Sequence, residues 1–113
     1  MIQERATRVR PKEFRDFSVT LQTEESLFTG LLGNISETGL CAILATNSDL
    51  KIDDDFEVSV QHWPTGDDIE MLGRVAWRKE IVFDDRPHVM LGMEFRKRVE
   101  LPEYLIALTY SEE

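Results

Sequence analysis

Two stretches of this 113-residue chain carry side chains whose chemistry is directional. Near the start, Arg5-Ala6-Thr7-Arg8-Val9-Arg10-Pro11-Lys12 offers three arginines and a lysine. A guanidinium grips phosphate through two parallel N–H bonds, stacks on aromatic planes and pairs with the O6/N7 edge of guanine. Further on, Asn34-Ile35-Ser36-Glu37-Thr38-Gly39-Leu40 closes a polar cluster with a glycine, between the apolar runs Leu27–Leu32 and Leu40–Leu44. These are also the usual residues of a polar β-turn, so the cluster alone fits a turn or a binding loop.

Charge narrows the chemistry. The chain carries a net charge of −9. Residues 1–15 hold five basic and two acidic side chains, whereas residues 16–113 hold eight basic and twenty acidic ones. A short basic tail on an acidic body suits a local anion site. It does not suit general nucleic-acid binding, which is driven by phosphate neutralisation. No window approaches a membrane span and the start has no signal-peptide character, so a cytoplasmic protein without membrane insertion is expected.

Other chemistry finds little support. The single cysteine, Cys41, forms no intrachain disulfide and reads as a small buried side chain in a strand. His62 and His88 lie 26 positions apart, without zinc-ligand spacing, and read as surface residues. Asp53-Asp54-Asp55 lacks the alternating ligands of a calcium loop. No base accompanies Cys41 or Ser36, so no nucleophilic set, no metal and no catalysis are expected.

The elements that must position the two stretches follow from periodicity. Residues 1–16 show no clear period and read as a flexible basic tail; Pro11 biases Arg10 away from helix. Residues 17–113 form one domain. Phe17, Val19 and Leu21 alternate with polar neighbours, as in a half-buried strand. Strands are expected at Leu27–Asn34, where Gly30 and Gly33 suggest bulges or bends, and at Leu40–Ala45, Phe56–His62 and Ile69–Lys79. The last of these has Met71, Gly73, Val75 and Trp77 on one face, which makes Trp77 a core residue. Val89, Leu91, Met93 and Phe95 form the inner face of a sixth strand. Trp63, in a turn, is expected to be exposed. Pro102 opens a short helix with Leu101, Leu105 and Leu108 on one face. Six short strands and a terminal helix give an all-β fold, a small six-stranded antiparallel β-barrel with a short C-terminal helix.

Asn34, Ser36 and Gly39 match every defined position of the motif Asp/Asn-x-Ser-x-x-Gly. With the upstream arginines and the patterns Gly73-Arg74-Val75-Ala76-Trp77 and Leu91-Gly92-Met93-Glu94-Phe95, the chain resembles the PilZ domain family. The resemblance implies a β-barrel receptor for the second messenger cyclic di-GMP, with the nucleotide held by Arg5, Arg8, Arg10, Asn34, Ser36 and Gly39. Arg5 and Arg8 are separated by two residues, where the family motif has three. Arg8 and Lys12 have the family gap, but with a lysine. Two functions therefore stay open. One is a receptor that relays nucleotide binding to an unidentified protein partner by ordering its arginine tail. The other is a PilZ-like adaptor that binds a protein partner and no nucleotide.

In either function Asn34 would present one acceptor and one donor to a ligand. Ser36 would bond the ligand or fix the loop. Gly39 would permit a positive φ or a close approach of ligand to main chain.

Overall fold

The computed structural model describes residues 9–13, 16–45, 50–103, 105 and 109–111. The fold is all-β and every strand pairing is antiparallel. The six expected strands are present as β2 (Phe17–Gln22), β3 (Leu27–Ile35), β4 (Gly39–Ala45), β5 (Asp55–His62), β6 (Asp67–Phe83) and β7 (Arg86–Phe95). Two three-residue strands join them, β1 (Val9–Pro11) and β8 (Thr109–Ser111). The pairings run β2-β5-β6-β7-β4-β3, and β2 also pairs with β3, so they return to their starting strand.

Alternation builds the interior. Phe17, Val19 and Leu21 of β2, Phe56, Val58 and Val60 of β5, and Val89, Leu91, Met93 and Phe95 of β7 are all buried in one apolar cluster. Fully burying a side chain of this size contributes about 1.5–3 kcal/mol, which sets strand register firmly. Leu50 and Leu105, from outside the strands, join the same core. β4 is buried on both faces. Leu40, Ala42 and Leu44 face the cluster, while Cys41 and Ile43, of opposite parity, are each 5% exposed.

Long β3 changes partner along one edge. Its first half, Leu27–Gly30, pairs with β2; at Ile35 the partner is Val9 of β1. Gly30 permits the close approach of β3 to β4, since a Cβ there would lie 2.3 Å from the Ile43 carbonyl oxygen. The stretch expected as tail thus contains a strand, with Val9 only 3% exposed. Within that stretch, residues 1–8, Phe14 and Arg15 lie outside the described residues.

Other expectations shift. β6 runs on to Phe83, four residues past the expected end. Asp84 and Asp85 take φ of 54° and 61°, forming the two-residue turn whose twist suits a hairpin. His62, expected at the surface, is 3% exposed, because its parity on β5 is that of Val58 and Val60. Its ring lies 4.8 Å from that of Phe17, and Nδ1 is 2.8 Å from the Thr65 hydroxyl. Trp63 is exposed as expected, at 64%. After Pro102, Glu103 and Leu105 are helical, and the Leu105 N–H donates to the Pro102 carbonyl at 3.1 Å. The rest of the expected helix, Leu108 included, lies outside the described residues, and Thr109–Ser111 is strand.

Candidate functional site

The motif Asn34–Gly39 forms the connection between β3 and β4. Its Ser36 N–H donates to the Gly39 carbonyl at 2.8 Å, closing a tight turn beyond the Ile35–Leu40 pair. The Ser36 hydroxyl is turned into this loop. It accepts the Thr38 N–H at 3.2 Å and lies 3.2 Å from the Thr38 hydroxyl and 3.4 Å from the Gly39 carbonyl. Ser36 is 7% exposed, so of its two expected roles the loop-fixing one is visible. The loop is clamped to the end of β7 and to the segment that follows it. Thr38 and Glu37 carbonyls accept the Phe95 and Val99 N–H groups, each at 2.8 Å. A loop with its polar backbone groups satisfied in this way is pre-organised.

Of the two roles expected of Gly39, positive φ is not adopted. Among the described glycines, Gly66 alone has positive φ. At Gly39 a Cβ would lie 2.3 Å from the Met93 carbonyl oxygen. The position requires glycine because β4 and β7 approach closely there, and backbone does not give way.

Two irregularities aim the remaining side chains. Between Leu32 and Asn34 the pairing with β4 skips Gly33, as a β-bulge does. The extra residue resets the alternation. Leu32 and Ile35 both face the core, and half-buried Asn34 turns to the outer face. β6 has the same device. Val75 pairs with Met93, Ala76 is skipped, and Trp77 pairs with Gly92. Plain alternation from Val75 would put Trp77 in the core, as the sequence reading had it. The bulge turns it outward, and it is 44% exposed. Its indole lies on Gly92, where a Cβ would sit 2.0 Å from Nε1.

Both re-aimed side chains meet at one cleft of about 230 Å³. Asn34, Ser36, Thr38 and Gly39 line it from the motif, Ala76 and Trp77 from β6, and Gly92 and Glu94 from β7, with Cys41 between them on β4. Glu94 stands opposite Gly39 on β4 and opposite Arg74 on β6. Its Oε2 lies 3.4 Å from an Arg74 nitrogen, and Arg74 also bonds Asp53 at 3.2 Å. All three side chains are about half exposed or more, so solvent screens these pairs. A larger opening of about 340 Å³ lies over β2, β5 and β6, between Thr20, Ser59 and Glu70, and carries none of the motif residues.

Of the sequence-predicted residues, Asn34, Ser36 and Gly39 are brought together at this cleft. Arg5 and Arg8 lie outside the described residues. The backbone of Arg10 lies in β1, paired with Tyr110 of β8. Trp77 and Glu94 were not among the predicted site residues. Parity counting hid Trp77, and nothing in the sequence marks Glu94 off from the other outward residues of β7. No group of three metal-ligating side chains occurs among the described residues.

A PilZ domain family model matches residues 5–111. Among solved structures, K. pneumonia MrkH in complex with c-di-GMP aligns at TM-score 0.68 and 17% identity, over 87% of this chain and 46% of that one. The PilZ domain of YcgR from Escherichia coli with c-di-GMP aligns at TM-score 0.64 and 14% identity, over 95% and 86%. PlzA of Borreliella burgdorferi in complex with c-di-GMP aligns at TM-score 0.60 and 12% identity, over 88% and 42%. At such identities the likeness is one of fold, and this chain spans less than half of the MrkH and PlzA chains. Comparison with curated proteins gives no match. The family model covers nearly the whole sequence, and the chain belongs to the PilZ domain family.

Proposed function

We propose that this PilZ domain is a receptor for cyclic di-GMP and that the nucleotide docks at the cleft between the Asn34–Gly39 loop and Trp77. The observation that carries the reading is convergence. Two separate bulges turn Asn34 and Trp77 outward, and both line the same cleft as the pre-organised motif loop. The exposed indole offers a plane on which a base can stack. The c-di-GMP complexes of MrkH, YcgR and PlzA, which share the fold, lend support.

The arginines enter through β1. Val9 pairs with Ile35, the residue between Asn34 and the start of the motif turn. Arg8 is bonded directly to Val9, one Cα step of about 3.8 Å away. In this reading Arg8, with Arg5 and Arg10, closes over the phosphates and a guanine face from that side. Ordering residues 1–8 over the ligand creates a surface that a protein partner reads, and no reaction is catalysed. The closed ring of six strands is taken as the PilZ barrel, Pro102–Leu108 as its terminal helix, and the cytoplasm as its compartment.

The competing reading, a protein-binding adaptor without nucleotide affinity, rests on the two-residue gap between Arg5 and Arg8. Isothermal titration with cyclic di-GMP, with GTP as control, separates the two. Saturable binding specific for the cyclic dinucleotide, weakened by Asn34→Ala and by Arg8→Ala, is the expected result. Absence of heat and of competition at high ligand concentration would favour the adaptor.

A further inference from the structure

We propose that Glu94 reads the hydrogen-bond donor edge of a guanine in this cleft; the assignment rests on the cleft being the nucleotide site. That edge presents two donors, N1–H and N2–H. An ionised carboxylate is acceptor-only and has two oxygens, so it matches both donors at once. The motif residue does not. The Asn34 amide offers a single acceptor oxygen beside an NH₂ that would face a donor. The Ser36 hydroxyl is already engaged inside the loop. Glu94 supplies the one charged side chain in the described lining of the cleft.

Its position fits the task. Glu94 and Gly39 are direct partners across β4 and β7, so their outer-face positions are adjacent. Gly92, carrying the Trp77 ring, is two residues back on the same face of β7, about 7 Å away along the strand. A planar base lying beside the indole thus has its edge toward Glu94. An Arg74 nitrogen lies 3.4 Å from Oε2, a half-exposed contact that leaves the carboxylate accessible.

The test compares cyclic di-GMP with cyclic di-IMP, which lacks the 2-amino donor, by calorimetric titration of the full chain. Losing a hydrogen bond to a charged acceptor is expected to give wild-type protein a preference for cyclic di-GMP of about tenfold or more. Glu94→Gln should weaken cyclic di-GMP binding about tenfold and bring the ratio of the two affinities close to one. Arg74→Gln removes the same ion pair but keeps the carboxylate, and should retain the wild-type ratio. A wild-type ratio near one overturns the assignment without any variant. So does a wild-type ratio that persists in Glu94→Gln. Failure of wild-type protein to bind cyclic di-GMP overturns the receptor reading itself, and the role of Glu94 with it.

Discussion

The two flanks of the strand ring are built by different rules. On the β2-β5-β6 side, pairing runs without a break from Phe17–His62 to Gln22–Glu57 and from Asp55–Arg74 to His62–Asp67. On the β3-β4-β7-β6 side, an unbroken β4–β7 pair is flanked by one bulge in β3 and one in β6. The regular flank keeps its inward side chains in strict alternation, and its outer face is mostly polar, with Leu72 an exposed exception. The irregular flank gives up a ladder position twice, and each time a side chain that parity would bury is delivered to the cleft. Residues that leave the alternating pattern therefore converge on the proposed site.

Single-residue deletions break the comparison most sharply. Deleting Ser59 from β5 would send Val60 and His62 outward and Gln61 inward, since one step inverts the faces of a strand. Loss of the cooperative unfolding transition by circular dichroism is expected. Deleting Ala76 removes only the skipped residue, so Val75 stays inward and Trp77 outward. That variant should fold, with a normal denaturation profile but weaker cyclic di-GMP binding, because the local bend is gone. If both deletions abolish folding, the bulge is no mere insertion and the contrast fails.

Close backbone approach gives the next largest effect. Gly39→Val puts atoms against the Met93 carbonyl, which cannot move aside. A loss of about 1–3 kcal/mol or more is expected, read as a lowered denaturant midpoint at unchanged slope. Gly92→Ala meets a ring edge instead of backbone. Its stability loss should be smaller, and altered Trp77 fluorescence should accompany a loss of ligand affinity.

Trp77→Ala sharpens the contrast from the binding side. Removing a base-stacking platform costs about 1–3 kcal/mol, roughly five- to 150-fold in affinity. Stability should change little, since the ring is 44% exposed. The matching substitution on the regular flank, Leu72→Ala at 54% exposure, should leave both quantities within about 0.5 kcal/mol of wild type. A similarly small effect is expected for Arg74→Gln on stability, within about 1 kcal/mol, because its ion pairs are solvent-screened.

Most of the fold was legible because burial follows parity in β2, β5 and β7, where hydrophobic residues alternate cleanly. The motif loop was legible too, since its residue types carry their own turn chemistry. Trp77 was misassigned because a bulge leaves no unambiguous mark. Gly33 announces the one in β3, whereas Ala76 looks like any strand residue. His62 was misassigned because polarity was weighed above its parity. The strand at Val9–Pro11 was hidden by its length and its basic neighbours; its pairing with Ile35 is a tertiary fact. At Gly39 the positive φ was misread: the steric need for glycine comes from the strand behind it.

The unequal lengths of β5 and β6 bear on colloidal behaviour. β6 has 17 residues and β5 has eight, so past Arg74 the β5 ladder ends; beyond it the Asp53 N–H donates to the Val75 carbonyl and the Val75 N–H to the Asp54 carbonyl. Among the described residues, the distal part of β6 has a ladder partner on one side only, β7. Such an open edge invites pairing with another chain. It begins with Arg78-Lys79-Glu80, and charge on an edge opposes that pairing. Beyond it come Ile81, Val82 and Phe83, with Val82 77% exposed. The short charged run is thus a guard on an edge segment open to intermolecular sheet growth, and exchanging Lys79 and Glu80 for β-branched residues would trade solubility for strand propensity.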